Sequence, residues 1–362
     1  MDQQQSEMLQ ILDAWNFGAP VETCTEYGEG HINRTYLVTA GPRRYILQKI
    51  NRSVFRDVDG LMRNIDLVTS FLRTEILRQG GDPDRETLTV IRTADGRLYH
   101  EDENGAAWRV YLFITSSLCL QSARTEQDFA ESAAAFGRFQ RALSSFPAAE
   151  LSETIPHFHD TPKRFQALMD AVQKDPCGRR REVERELDFI RQRESQCSIL
   201  TDARQSGRLP LRVTHNDTKL NNVLFDANTG KELCIIDLDT VMPGLAADDF
   251  GDAIRFGAND CAEDEPDQSR CHFSLPLYRI YRDSYLAACG DALTETEREM
   301  LPWGAKLMTL ECGMRFLTDY LEGDTYFRIS RPAQNLDRAR TQLKLVSDME
   351  SCWEEMSQKV RG

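Results

Sequence analysis

Val213-Thr214-His215-Asn216-Asp217-Thr218-Lys219-Leu220-Asn221-Asn222-Val223-Leu224-Phe225-Asp226, followed after a short turn by Leu233-Cys234-Ile235-Ile236-Asp237-Leu238-Asp239-Thr240, decides how the chain is to be read. Two apolar runs, Val223 to Phe225 and Leu233 to Ile236, flank an Asn228-Thr229-Gly230 turn signal, a pattern that predicts a β-hairpin. A loop carrying His215, Asp217 and Asn222 precedes the first strand, and Asp237-Leu238-Asp239 follows the second. An antiparallel hairpin places those loops at one end, so Asp217, Asn222 and Asp237 are expected to converge. Singly, each Asp or Asn reads as a loop residue bonding its own backbone. The full set on one hairpin is more than turn chemistry requires.

The spacing His-x-Asp, four residues, Asn matches the catalytic-loop pattern H-R-D-x-x-x-x-N, with Asp237 where a metal-binding Asp would follow. Phosphoryl transfer from a nucleotide needs one carboxylate to orient the attacking hydroxyl and accept its proton, the role that fits Asp217. It also needs hard oxygen ligands for Mg²⁺, which takes few from the protein, and Asn222 and Asp237 fit there.

The stretch His215 to Asn222 with Ile236 to Thr240 resembles the phosphotransferase family that includes aminoglycoside and choline kinases. Three further segments are similar to the N-acetylhexosamine 1-kinases of that family. They are Gly28-Glu29-Gly30-His31-Ile32-Asn33-Arg34-Thr35-Tyr36-Leu37-Val38, Asp249-Phe250-Gly251-Asp252-Ala253-Ile254-Arg255-Phe256-Gly257 and Glu311-Cys312-Gly313-Met314-Arg315-Phe316-Leu317. The resemblance runs from about Tyr27 to about Val346 and implies an α+β, bilobal, protein-kinase-like fold. It places an antiparallel-sheet nucleotide-binding lobe at residues 1–115 and a mainly helical catalytic and sugar-binding lobe at 116–362, with ATP and Mg²⁺ in the cleft. The implied reaction gives ADP and the 1-phosphate of N-acetylglucosamine or N-acetylgalactosamine, with His31, Arg315 and Tyr326 contacting the sugar.

The 362 residues suffice for one large domain or two moderate ones. A formal charge of −14 and a pI near 5.0 argue against nucleic acid or an anionic membrane as partner, while acidity alone does not exclude a small anionic molecule such as ATP, whose site must be locally basic. The 10 cysteines form no C-x-x-C, which favours free thiols in a reducing cytoplasm and makes zinc an unsuitable cofactor. With no basic-then-apolar N-terminal stretch and no apolar run near the ~20 residues of a membrane span, a soluble, cytoplasmic protein is expected.

Residues 1–20 read as a short helix with Met8, Leu9, Leu12 and Trp15 on one face. Two strands then flank a glycine-containing loop, and the nucleotide side of the site is expected at Gly28, Gly30, Asn33 and Thr35, where missing side chains let backbone N–H groups approach phosphates. The third-strand slot that holds a Lys in kinases holds Gln48, and strand alternation turns the adjacent Lys49 to the opposite face. Lys219 is therefore expected to supply cationic help at the γ-phosphate.

An amphipathic helix is predicted over 54–78 on Leu61, Ile65, Val68, Leu72 and Leu77, with strands at 87–92 and 97–100. Trp108 to Ile114 reads as a buried strand leading to backbone that would bond the adenine edge. From 126 on the chain is mostly helical. His157-Phe158-His159-Asp160 reads as surface or supporting histidines before a helix, and 260–267 as an exposed acidic loop. Arg315, inside an apolar helix predicted over 301–321, needs a partner or a ligand, the local candidates being Asp319 and Glu322. Three other readings stand beside the hexosamine kinase: a kinase for another small alcohol such as an aminoglycoside, homoserine or choline, a nucleotide-binding pseudokinase, which Gln48 alone supports, and a purely structural protein, which leaves the polar hairpin end unexplained.

Overall fold

The computed structural model describes residues 3–28 and 33–358, which gather into two compact units. The first comprises residues up to 119, 145–156 and 223–243, and the second 120–144, 157–222 and 244 onward. The architecture is α+β, with an antiparallel-sheet unit and a helical unit. Unlike a single cut between 115 and 116, this division groups the hairpin with the N-terminal elements. The reason is hydrogen bonding: strand Val223–Asp226 pairs with Glu232–Ile235 on one side and with Ser117–Cys119 on the other.

The sheet unit opens with helix α1 (Gln3–Leu12), shorter than the predicted 20 residues. Strands β1 (Val21–Glu26), β2 (Arg34–Ala40) and β3 (Arg43–Lys49) follow as a meander. Helix α2 (Val58–Arg78) begins at Asp57, whose carboxylate accepts the Gly60 N–H at 2.9 Å, and α3 (Pro83–Glu86) comes next. On α2, Leu61, Ile65, Val68 and Leu72 are buried as the periodicity requires, but Leu77 is 59% exposed.

The two predicted strands after α2 shrink to β4 (Val90–Ile91) and β5 (His100–Glu101), because Thr93 and Arg97 close a tight turn between them. Strand β6 (Ala107–Leu112) completes the sheet in the order β1-β2-β3-β6-β4, with β5 also on β6, and β7 (Ser117–Cys119) joins the hairpin. Period-two alternation turns Tyr36, Val38, Tyr45, Leu47, Trp108 and Val110 toward Leu12 and Trp15, forming the core of this unit.

The helical unit comprises α4 (Glu126–Ala142), α5 (Thr161–Lys174), α6 (Glu184–Arg191), α7 (Ile199–Gln205), α8 (Ala246–Gly257), α9 (Leu275–Cys289), α10 (Glu295–Glu322), α11 (Gln334–Ser351) and α12 (Trp353–Met356). Helix α10 starts six residues before the predicted Leu301, because Thr294 and Glu297 form a capping box. Its 28 residues, about 42 Å of helix, bury Leu307, Leu310, Met314 and Leu317 among Leu168, Leu187, Leu336 and Leu343.

Helices α8 and α10 meet backbone to backbone. A Cβ on Gly251 would lie 2.2 Å from the Gly304 carbonyl oxygen, and one on Gly304 2.0 Å from that of Ala247. Eight of the cysteines are free thiols as expected, but Cys261 and Cys271 are joined in a disulfide across the acidic loop. Among the described residues no helix is long and apolar enough to cross a membrane.

Gly251→Ala should force α8 away from α10 and lower stability by roughly 1–3 kcal/mol, the usual cost of overpacking. Denaturant unfolding measures it, and an unchanged midpoint would show that the helices are not in such close contact.

Candidate functional site

The residues singled out by the sequence fall in both units. In the helical unit, the short strand Arg212–Thr214 runs into the loop that carries Asp217. Asn216 sits at φ +63°, in the left-handed region where Asn is among the few tolerated residues. That turn aims two successive backbone N–H groups at Asp249 on α8: His215 N–H reaches Oδ2 at 2.9 Å and Asn216 N–H reaches Oδ1 at 2.8 Å. Gln140 on α4 donates to the same Oδ2 at 3.1 Å. One turn along α8, Asp252 accepts the Thr218 N–H at 2.9 Å, while the Thr218 hydroxyl donates to the Asp249 carbonyl at 2.5 Å. Helix α8 thus holds the loop by its backbone.

The side chains freed by this arrangement converge. Lys219 Nζ lies 2.7 Å from Asp217 Oδ1, and Asn222 Nδ2 donates to Asp217 Oδ2 at 2.9 Å. Burial opposes the Lys219 charge, but Asp217 and Asp252 outweigh it and hold the ammonium above its ordinary value. Burial likewise pushes Asp252 up, and Arg255 and Lys219 reverse the direction and keep it low. His215 is fully buried against Phe136 and Phe139, and its Nδ1 accepts the Asp217 N–H at 3.3 Å. The Asn222 amide nitrogen is committed to Asp217, its Oδ1 takes no part in that bond, and an amide oxygen is a ligand type that Mg²⁺ accepts.

In the same unit, Arg315 projects from α10 with its guanidinium 5.6 Å from the ring centres of both Phe158 and Phe327. The expected partner Asp319 is occupied elsewhere: it accepts the backbone N–H groups of Thr325, Tyr326 and Phe327 at 2.7–2.9 Å and the Asn335 amide at 2.8 Å. Asp319 therefore fixes the loop that displays Tyr326, which is 68% exposed, and leaves Arg315 between aromatic faces. Of the two readings of these histidines, His157 is the exposed one and His159 the supporting one. The His159 side chain is 8% exposed, with Nδ1 3.1 Å from Glu311 Oε1, while Thr161 donates to Glu311 Oε2 at 2.8 Å. Burial works against charge on both, yet their mutual attraction raises His159 and lowers Glu311. Nearby Asp248 is pushed up to about 7, chiefly by burial, with His159 opposing.

In the sheet unit, Asp237 adopts φ +60° at the end of the hairpin's second strand. Two residues on, Asp239 is buried and forms an ion pair with Arg109, Nη1 to Oδ1 2.5 Å. Asn33, expected to meet the nucleotide, spends its side chain on protein groups: Nδ2 donates to Asp239 at 2.6 Å and Oδ1 accepts the Asn51 N–H at 3.0 Å. Thr35 and Gln48 are cross-strand partners, with Gln48 Nε2 donating to Thr35 Oγ1 at 3.1 Å. Lys49 faces the other side of the sheet, its Nζ 5.4 Å from the Trp108 ring centre, as alternation requires. Gly28 has φ +76° and space around it, whereas Gly30 and His31 lie outside the described residues.

The sequence placed Asp249, Asp252 and Glu311 in motifs, His159 before a helix and Arg109 in a buried strand, but it assigned no role to any of them and no pairing of His159 with Glu311. Arg109, within Trp108-Arg109-Val110-Tyr111-Leu112, is like Arg315 a charge in an apolar element, which is the sequence signal for a buried partner.

A family profile described as "Phosphotransferase enzyme family" matches residues 23–283. Among solved structures, the chain is similar to a microcompartment-associated aminopropanol kinase at 16% identity and TM-score 0.61, covering 98% of this chain and 99% of that one. It is also similar to a spectinomycin phosphotransferase in complex with ADP and spectinomycin, at 13% identity and TM-score 0.57 over 98% and 100% of the two chains. A choline kinase from Cryptosporidium parvum aligns at 13% identity and TM-score 0.57 over 97% and 96%. At these identities the likeness is one of fold.

Asp249→Asn keeps the shape but loses a carboxylate oxygen facing the loop N–H groups. Turnover should fall by about 10²-fold, the scale of an ångström-sized misplacement, with nucleotide affinity within a few-fold of wild type. Equal loss of both would assign Asp249 to general stability.

The raised Asp248 gives a pH signature. Its folded value of about 7 lies above the ordinary one near 4, so its contribution to stability is complete below pH ~4 and is lost as pH rises through about 7. Asp248→Asn should therefore narrow the drop in Tm between pH 5 and pH 8, and an unchanged drop would place the titration elsewhere.

Proposed function

Since the chain belongs to the phosphotransferase enzyme family, we propose that it transfers the γ-phosphoryl group of ATP to the anomeric hydroxyl of an N-acetylhexosamine, releasing ADP and the sugar 1-phosphate. The observation that carries the transfer is the Asp217 carboxylate, with Lys219 on one oxygen and Asn222 on the other. Asp217 orients the hydroxyl and takes its proton as the oxygen attacks phosphorus. Lys219 offers its ammonium to the γ-phosphate. The sequence pattern assigns Asn222 and Asp237 to Mg²⁺, each an oxygen ligand of the kind that ion takes, and a bound ion would neutralise charge on the phosphate oxygens. Phosphoryl transfer of this kind rests on positioning and charge, so the backbone hold of Asp249 and Asp252 on the loop serves it directly.

The acceptor assignment is supported by Arg315 and Tyr326. A guanidinium flanked by two aromatic rings, with Asp319 engaged by backbone, is a donor set for neutral, oxygen-rich ligands such as a sugar and its acetamido group. The same positive charge works against cationic acceptors, including the choline, aminopropanol and aminoglycosides for which proteins of this fold are named. The conformation of His31, the third residue assigned to the sugar by resemblance, is outside the described residues.

The test is ADP release with ATP and Mg²⁺ across N-acetylglucosamine, N-acetylgalactosamine, glucose, galactose, choline, aminopropanol, homoserine and kanamycin, with ³¹P NMR on any product. A hexosamine 1-phosphate is expected, and Asp217→Asn should lower its formation by ~10²–10⁴-fold. Activity only on the amino alcohols or kanamycin would keep Asp217 and remove the roles of Arg315 and Tyr326. Nucleotide binding without turnover on any acceptor would favour a pseudokinase.

A further inference from the structure

The kinase-like pattern places a lysine on the third strand to hold the nucleotide phosphates, paired with a carboxylate. Here the third strand carries Gln48, yet the sheet contains a cation at that level. Arg109 on β6 is the direct cross-strand partner of Gln48 on β3, so the two side chains share one face. Arg109 is 1% exposed and ranks among the largest fully buried side chains of the protein. Its Nε and Nη2 both donate to Gln48 Oε1, at 3.0 and 2.8 Å. Its Nη1 meets Asp239, and Met62 Sδ of α2 lies 3.9 Å from the same nitrogen. Burial alone would drain the charge, but Asp239 reverses that and holds the guanidinium charged.

This geometry decides how Gln48 presents itself. A guanidinium has donors and no acceptor, so the carboxamide must turn its oxygen to Arg109 and its NH₂ away. One of those two hydrogens goes to the Thr35 hydroxyl at 3.1 Å, and the other remains on the half-buried face of the strand. With its oxygen bound twice to a cation, the amide is polarised and its remaining N–H becomes a stronger donor.

We propose that Arg109 stands in for the missing third-strand lysine, acting through Gln48. Arg109 fixes and polarises the Gln48 carboxamide, and Gln48 Nε2–H is the group that meets the nucleotide phosphates. The cation has moved one strand along the sheet, and its counter-ion Asp239 comes from the segment after the hairpin. Arg109 is thus a positioning residue, and Gln48 is the group in contact with the nucleotide. This inference rests on the nucleotide-dependent reading given above.

The test is equilibrium binding of ATP and of adenosine, measured by calorimetry without acceptor, so that phosphate contacts separate from base contacts. Gln48→Glu forms an ion pair with Arg109 and so preserves the fold, but puts negative charge where the phosphates go. It should weaken ATP by at least tenfold and leave adenosine unchanged. Arg109→Met should also weaken ATP selectively, and adding Gln48→Lys to it should restore most of the loss by returning a cation to the third strand. ATP binding by Gln48→Glu at wild-type strength would overturn the proposal even if Arg109→Met fails to fold, as would a parallel loss of ATP and adenosine. Wild-type protein binding neither ligand would instead overturn the nucleotide reading itself.

Discussion

The carboxylate of Asp249, 1% exposed, accepts two successive loop N–H groups and a glutamine amide, and the geometry of the Asp217 loop follows from it. A loop that must display a carboxylate and a lysine has few side chains left with which to hold itself in place. Its backbone polar groups must therefore be met from outside, because buried N–H groups without acceptors are costly. Asp249 and Asp252, one helical turn apart on α8, do this together. Their height is set by the glycine contact between α8 and α10, where any side chain would force the helices apart. Small residues at this helix contact thus bear on where Asp217 points.

A second buried charge does comparable work in the sheet unit. Asp239 gathers Asn33 and Arg109, and Arg109 gathers Gln48, which in turn holds Thr35. Every member is paired, which is the condition under which a buried polar network rigidifies its surroundings. The two units solve the same problem alike: a charge removed from water is neutralised by a specific partner, and the pair fixes its neighbouring side chains.

Much of this was legible in the chain itself. The hairpin around Asn228-Thr229-Gly230 forms where the turn signal put it, with Gly230 at φ +70° and the Asp226 side chain capping the turn N–H groups. The spacing of Asp217, Lys219 and Asn222 placed three groups within hydrogen-bond reach on one short loop, and Lys49 turns away from Gln48 by simple alternation. Less was legible wherever a local pattern had more than one physical outcome. Leu77 continues a helical stripe and yet reaches solvent, and Asp319 lies one turn from Arg315 and yet bonds a loop instead.

The sequence by itself determined which residues are local partners, because strand alternation, turn chemistry and helical spacing act over a few positions. It also determined the family, through motifs whose residue types the chemistry demands. Tertiary structure alone decided which distant charges meet: Asn33 with Asp239 across 206 positions, Gln48 with Arg109 across 61, His159 with Glu311 across 152. Periodicity reports that a residue faces inward, but the partner it finds depends on which elements pack together. That choice is made by the fold as a whole, through the burial of its apolar faces and the pairing of every charge taken inside.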